Sequence, residues 1–270
     1  MIKLLKLEWL KLSRHRFFWI GMGLYTLCLV LVITQVGNFT INNQSEGGMV
    51  QFDDLATAGI YKLPHLWQHM TYMAAFLKII PSFLLIFFVA NEFQYRTIRQ
   101  NVIDGLSVGQ FYGSKILSAL LFTFYSLLVV IIAALIMGMT HNPGASMSQY
   151  FKGTDFLAAY SVEVFCMMAL GLFLTFLFKR STISIIIILL YYYVLENILI
   201  AQYGSPLVYF LPTGPSRELN LQFFTRLMGG DALLGTVSQV TVPLNYLGLS
   251  LLYSFGFLGA GYFILKRRDL

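Results

Sequence analysis

Charge is what this chain has least of. Only 11% of its 270 residues are Asp, Glu, Lys or Arg, against roughly 25% in soluble domains. That leaves too little polar surface to cover a globule in water, so lipid is the expected solvent. Cysteine is nearly absent: Cys28 and Cys166 both fall in apolar runs without metal-ligand spacing, which excludes a disulfide framework. There is no G-x-x-x-x-G-K-[ST] stretch, and the glycine-containing run from Gly105 to Lys115 has the wrong spacing for one, so the chain is not expected to hydrolyse ATP itself. H-E-x-x-H is missing as well. His65 and His69 stand four apart with no evident third ligand, and Gly229-Gly230-Asp231 has the wrong spacing for an intramembrane aspartyl protease. Neither a metal site nor a catalytic group is expected.

What the chain has is long apolar stretches, with 57% hydrophobic residues and a mean hydropathy of +0.72. A bilayer core about 30 Å thick takes about 20 apolar residues per helix. Six runs meet that length: Phe17 to Val36, Leu66 to Ala90, Ser114 to Met139, Phe156 to Phe178, Ile183 to Tyr203 and Asn245 to Leu265. The expected fold is an all-α polytopic membrane protein with six transmembrane helices, residues 1–270 forming one membrane domain. Pro81 predicts a kink in the second span. In residues 1–16, Ile2, Leu5, Trp9 and Leu12 fall within an arc of about 80° at 100° per residue, with Lys3, Lys6, Lys11 and Arg14 mainly off it. This predicts an amphipathic helix in the headgroup layer. The basic stretch reaches Arg16, the apolar run that follows is about 20 residues, and no small-x-small site closes it, so an uncleaved anchor is expected rather than a signal peptide. Residues 204–244 are the longest connection, with helical potential over 216–239.

The formal charge of +6 raises nucleic acid as a partner, but the basic residues gather at the ends of apolar runs, which points to lipid headgroups instead. If the N-terminus is cytoplasmic, thirteen of the 18 lysines and arginines lie inside, and only Lys62, Lys152, Arg217 and Arg226 lie in outer loops. A multi-pass plasma (inner) membrane protein with both termini cytoplasmic and residues 204–244 outside satisfies that bias. No strong internal repeat supports an inverted-repeat transporter.

Lys78, Glu163 and Glu196 stand inside apolar runs, where a lone charge costs at least about 2.5 kcal/mol. Counting residues from the inner ends of their spans at 1.5 Å each, Lys78 lies about 18 Å deep, Glu196 about 20 Å and Glu163 about 22 Å. The closest match predicts a Lys78–Glu196 pair between spans 2 and 5, with Glu163 further out. Such a pair fixes helix packing or lines a polar path. Span 6 carries small residues at Ser250, Ser254, Gly256 and Ala260, which permit close helix approach within the chain or in a dimer.

The polar segment between spans 2 and 3 is the most specific. It runs Glu92-Phe93, Arg96-Thr97-Ile98-Arg99, Asp104-Gly105-Leu106-Ser107, Phe111 and Ser114-Lys115. Gly105 is placed to end one helix in a left-handed conformation and Ser107 to cap the next. This pattern resembles the permease subunits of type-2 ATP-binding-cassette (ABC-2) exporters, with Val108 and Gly109 standing where many of them carry an arginine. The resemblance implies that residues 91–113 form a cytoplasmic coupling helix, with Glu92, Arg96, Thr97, Arg99, Asp104, Gly105, Ser107, Phe111 and Lys115 serving contact with an ATPase. It implies two permease subunits, as a homodimer or heterodimer, above two ABC ATPase subunits. It places no cofactor in this chain, and ATP with Mg on the partner. A secondary transporter or channel using Lys78, Glu163 and Glu196, or a non-transporting membrane scaffold, is the competing reading. The sequence does not reveal a substrate.

Overall fold

A computed structural model of the protein describes residues 2–37, 61, 63, 65–95, 97, 105–203, 209–219 and 242–267. Among them every regular element is helical. Helix α1 (Ile2–Arg14) is followed after His15 by α2 (Arg16–Gly37). Next come α3 (Leu66–Leu77), α4 (Ile79–Gln94) and α5 (Val108–His141). A four-residue turn of helix, α6 (Met147–Tyr150), leads to α7 (Asp155–Phe178). Helix α8 (Ser181–Leu189) passes through a π-helical stretch (Leu190–Leu195) into α9 (Glu196–Tyr203). Short α10 (Gly214–Arg217) and long α11 (Leu244–Arg267) complete the order.

Five of these units are long and apolar enough to cross a membrane, or six if the bent pair α3 and α4 counts as one span. The bend is 41°. Pro81 explains it, because it offers no N–H to the carbonyl four residues back, at Leu77. The helix opens at Lys78, whose own N–H reaches the Ala75 carbonyl at a long 3.4 Å. The kink therefore falls three residues before the proline.

Helix α7 is the centre of the bundle. Its apolar residues run all round, so no face prefers solvent, and such helices are buried. It packs against α11, α4, α5 and α3. Close approach depends on glycine at several places, among them Gly21, Gly138, Gly171 and Gly261. A Cβ on Gly171 of α7 would lie 3.1 Å from Ser82 Oγ, and one on Gly21 of α2 would lie 2.4 Å from Leu84. Polar side chains also tie helices together. The hydroxyls of Tyr25, Ser126 and Tyr160 join α2, α5 and α7, with Ser126 to Tyr160 at 2.6 Å and Tyr25 to Tyr160 at 3.1 Å. In contrast, α8 and α9 bury only Ser184, Ile188 and Glu196, so this arm presents Ile186, Val194 and Ile198 outward. In α11 the small residues divide: Ser250 and Ser254 are buried, while a Cβ on Gly256 would meet nothing within 4 Å.

Helix α7 ends at Lys179 in the left-handed region (φ +58°), its N–H held by the Thr175 carbonyl at 2.8 Å. That conformation costs roughly 1–2 kcal/mol for a residue with a Cβ. In return it turns the chain into α8 within two residues. The predicted helical tendency over 216–239 lies mostly outside the described residues; only the end of α10 and Glu218–Leu219 fall within them.

Candidate functional site

Two clusters, well separated along the bundle, gather the buried charged residues among those described: Glu8, Lys78, Lys115, Glu163 and Glu196. The first lies where α1, the end of α4 and the start of α5 meet. Lys115 is eight residues into α5 and 2% exposed at its side chain. It donates to both oxygens of Glu8, at 2.9 and 3.0 Å, and to Glu92 Oε1 at 2.7 Å. Ser114 and Ser118 each donate to Glu8 at 2.9 Å. Lys11 approaches Glu8 at 3.8 Å and Glu92 at 3.7 Å from the exposed side. Phe111 places its ring 5.1 Å from the Lys115 ammonium. Burial alone would raise the Glu8 carboxyl. The Lys115 ammonium, with Lys11 and the Ser114 hydroxyl, outweighs this and holds it below its ordinary value. One ammonium thus clamps two carboxylates from two other helices.

The segment that leads into this cluster is locally well specified. Thr97 Oγ1 donates to the Glu92 carbonyl at 3.2 Å, at the end of α4. Gly105 sits at φ +96°, open to glycine and strained for other residues. Ser107 then caps α5: its side chain accepts from the Gln110 N–H, while the Gln110 side chain accepts from the Ser107 N–H. This reciprocal pair satisfies two otherwise unpaired donors. Of the nine residues expected to serve an ATPase contact, Glu92, Phe111 and Lys115 turn inward, and Thr97, Gly105 and Ser107 shape the turn. Arg96, Arg99 and Asp104 lie outside the described residues.

The second cluster corrects an expectation. Lys78 pairs with Glu163 of α7, not with Glu196. The offset in depth between Lys78 and Glu163, about 4 Å by residue count, is within reach of a lysine side chain. Lateral neighbourhood decides instead. Both α3 and α4 pack on α7, so Glu163 faces the opened turn at Lys78 directly. Glu196 is fully buried and finds other partners: Thr213 donates to Oε2 at 2.6 Å, and Arg217 Nη1 stands 3.6 Å away. Arg217 also donates to Asn197 Oδ1 at 3.0 Å. The two pairs are bridged by Tyr192 in the π-helical stretch, whose ring lies 4.8 Å from the Lys78 ammonium and 5.2 Å from the Arg217 guanidinium. In the series Glu163, Lys78, Tyr192, Arg217, Glu196 two cations thus share one aromatic ring, and each is backed by its own carboxylate.

Six contributors were not foreseen from the sequence: Glu8, Ser118, Tyr192, Asn197, Thr213 and Arg217. Glu8 left a signal. It is the one acid among the first 16 residues, and it lies about 40° from Leu12 on the helical wheel, at the border of the apolar stripe. Tyr192 and Arg217 left none, since a tyrosine in a span and an arginine in a loop are ordinary.

The family model described as ABC-2 family transporter protein matches residues 4–195. The matched stretch contains Glu8, Glu92, Lys115, Lys78, Glu163 and Tyr192, and stops one residue before Glu196. No curated protein matches the chain.

Proposed function

Because this chain belongs to the ABC-2 transporter family, a family of membrane permease components, we propose that it is the membrane-spanning subunit of an exporter driven by separate ATPase subunits. ATP and Mg belong to those partners. Two copies of the chain, or this chain and a related permease, form the translocation unit. The bent pair α3 and α4 is one span, giving six. Both termini and residues 91–115 face the cytoplasm across the plasma membrane.

The observation that carries this reading is the Glu8–Lys115–Glu92 clamp. A force applied to the polar segment between α4 and α5 must reach the membrane helices to do work. The clamp binds both flanks of that segment to each other and to α1. Displacing the segment therefore moves three helices as a unit, because separating a buried ammonium from its carboxylates costs several kcal/mol. The second cluster supports a permease rather than an ion-coupled carrier: Lys78, Glu163 and Glu196 all have partners of opposite charge or hydrogen-bonding partners.

The test is reconstitution. The chain is purified with a candidate ABC ATPase and placed in proteoliposomes, and substrate movement is followed with ATP and without it. Export that requires both the ATPase and ATP is expected. Substrate flux by the chain alone, driven by an ion gradient, would sink the proposal.

A further inference from the structure

A cavity of about 540 Å³ opens beside the Glu8–Lys115–Glu92 clamp, between α1, α4 and the first turns of α5. Its walls differ in chemistry. Leu12, Leu85, Phe88 and Val89 form an apolar side, while Lys11, Arg14 and His15 supply donors from the end of α1 and the residue after it. The charges around it do not cancel. Glu8 and Glu92 are engaged by Lys115 and Lys11. Arg14 is exposed and has no carboxylate partner among the described residues. An unmatched positive charge therefore stands at the mouth.

The level of the cavity matters as much as its lining. It lies where α2 starts its apolar run, at Phe17, and where α4 finishes, at Gln94. The apolar run of α4 itself ends at Ala90, before Asn91 and Glu92, which line the cavity; that is headgroup depth for both helices. Just beyond it, Phe17 is 47% exposed, its ring 4.5 Å from that of Phe87, and the His15 ring lies 5.7 Å from Phe88. A cationic mouth above an aromatic wall matches an amphiphile with an anionic head better than a free anion, which would gain nothing from the wall.

We propose that this cavity seats the headgroup of an anionic phospholipid, its phosphate against Arg14, Lys11 and His15 and an acyl chain along Phe17 and Phe88. The lipid holds α1 against α4 next to the clamp, whatever the protein transports. The inference stands apart from the export reading, and its test does not require transport.

Full-length protein in neutral detergent is titrated with dioleoyl-phosphatidylglycerol or dioleoyl-phosphatidylcholine. Lipid retention is read by native mass spectrometry and the unfolding temperature is followed in parallel. Phosphatidylglycerol is expected to be retained about tenfold more tightly, between the roughly fivefold of one basic side chain at a surface and the roughly thirtyfold of two. The double variant Arg14→Gln/His15→Gln should bring the two lipids within about twofold of each other. Arg14→Lys should keep most of the preference, and Arg267→Gln, on α11, should keep all of it. Both Arg14 and His15 are exposed, so these variants should fold, as equal unfolding temperatures in phosphatidylcholine would verify; Arg14→Gln alone serves if the double variant does not. Equal retention of the two lipids overturns the proposal. So does a double variant that behaves as wild type, or an equal loss in Arg267→Gln, which would mean diffuse surface charge. Displacement of the lipid by soluble glycerol phosphate would show a phosphoester site without lipid selectivity and overturn it too.

Discussion

At the scale of single residues, buried charge dominates the energetics. Lys78 is 1% exposed and Glu163 3% at their side chains, and neither can lose the other cheaply. Replacing Lys78 with Met, or Glu163 with Leu, should each destabilise the protein by about 3–5 kcal/mol, because one charge is left without its counterion. The double replacement should cost less than the two losses added together, and far less if the apolar side chains pack well. Thermal unfolding of all four proteins in one detergent gives the cycle, and additive losses would deny the contact. Glu8 offers a different handle. Its folded carboxyl titrates below its ordinary value, about 4.5. Its contribution is therefore fully present above that pH and is lost as the pH falls through the lower folded value. Glu8→Gln should be less stable at neutral pH and should lose part of the acid-side decline seen in wild type. Unfolding temperature measured from pH 7 down to pH 3 would show both, and parallel curves for the two proteins would count against the assignment.

At the scale of elements, two local irregularities position the clusters. The turn before α5 needs φ +96° at Gly105 and a hydroxyl at Ser107. Gly105→Val should cost about 1–3 kcal/mol through strain, and Ser107→Ala about 1 kcal/mol through the lost cap. Both should raise hydrogen exchange in the first turns of α5 while leaving α7 as it was; unchanged exchange at 108–112 would contradict the cap. The π-helical stretch Leu190–Leu195 carries an extra residue relative to an α-helix. Deleting Tyr193, which is 44% exposed, should restore α-helical geometry and leave Glu196 facing Thr213 and Arg217, because the wider turn had absorbed the residue removed. Exchange over 211–217, where Glu196 anchors α10, should then stay near the native level. A deletion variant that loses protection there would show that the π turn does not absorb the extra residue.

At the scale of the whole molecule, orientation is the first matter. Gly109→Cys, near the start of α5, and Ser148→Cys, beyond its end, lie on opposite sides of the 34-residue helix α5. At 1.5 Å per residue that helix is about 50 Å long, so it overreaches a core of about 30 Å and carries both positions clear of the lipid. An impermeant thiol reagent applied to intact cells should label position 148 and spare 109. The reverse pattern would overturn the arrangement with cytoplasmic termini.

The sequence alone determined the solvent and the class. With so few charges, the chain has to place its apolar runs in lipid, and runs near 20 residues in lipid are helices because no water is there to satisfy the backbone. It also determined the turn at Gly105 and Ser107, since a left-handed glycine and a cap are properties of neighbouring residues. Only the tertiary structure decided the partners of the buried charges. Depth along a span can be counted from the sequence, but which helices lie side by side cannot, and that adjacency gives Lys78 to Glu163, leaves Glu196 to Thr213 and Arg217, and draws Glu8 from outside the apolar runs onto Lys115. Long-range pairing follows from packing around α7, where Gly171 admits the side chains of Ser82 and Ile86 from α4 and the break at Lys78 turns a lysine inward.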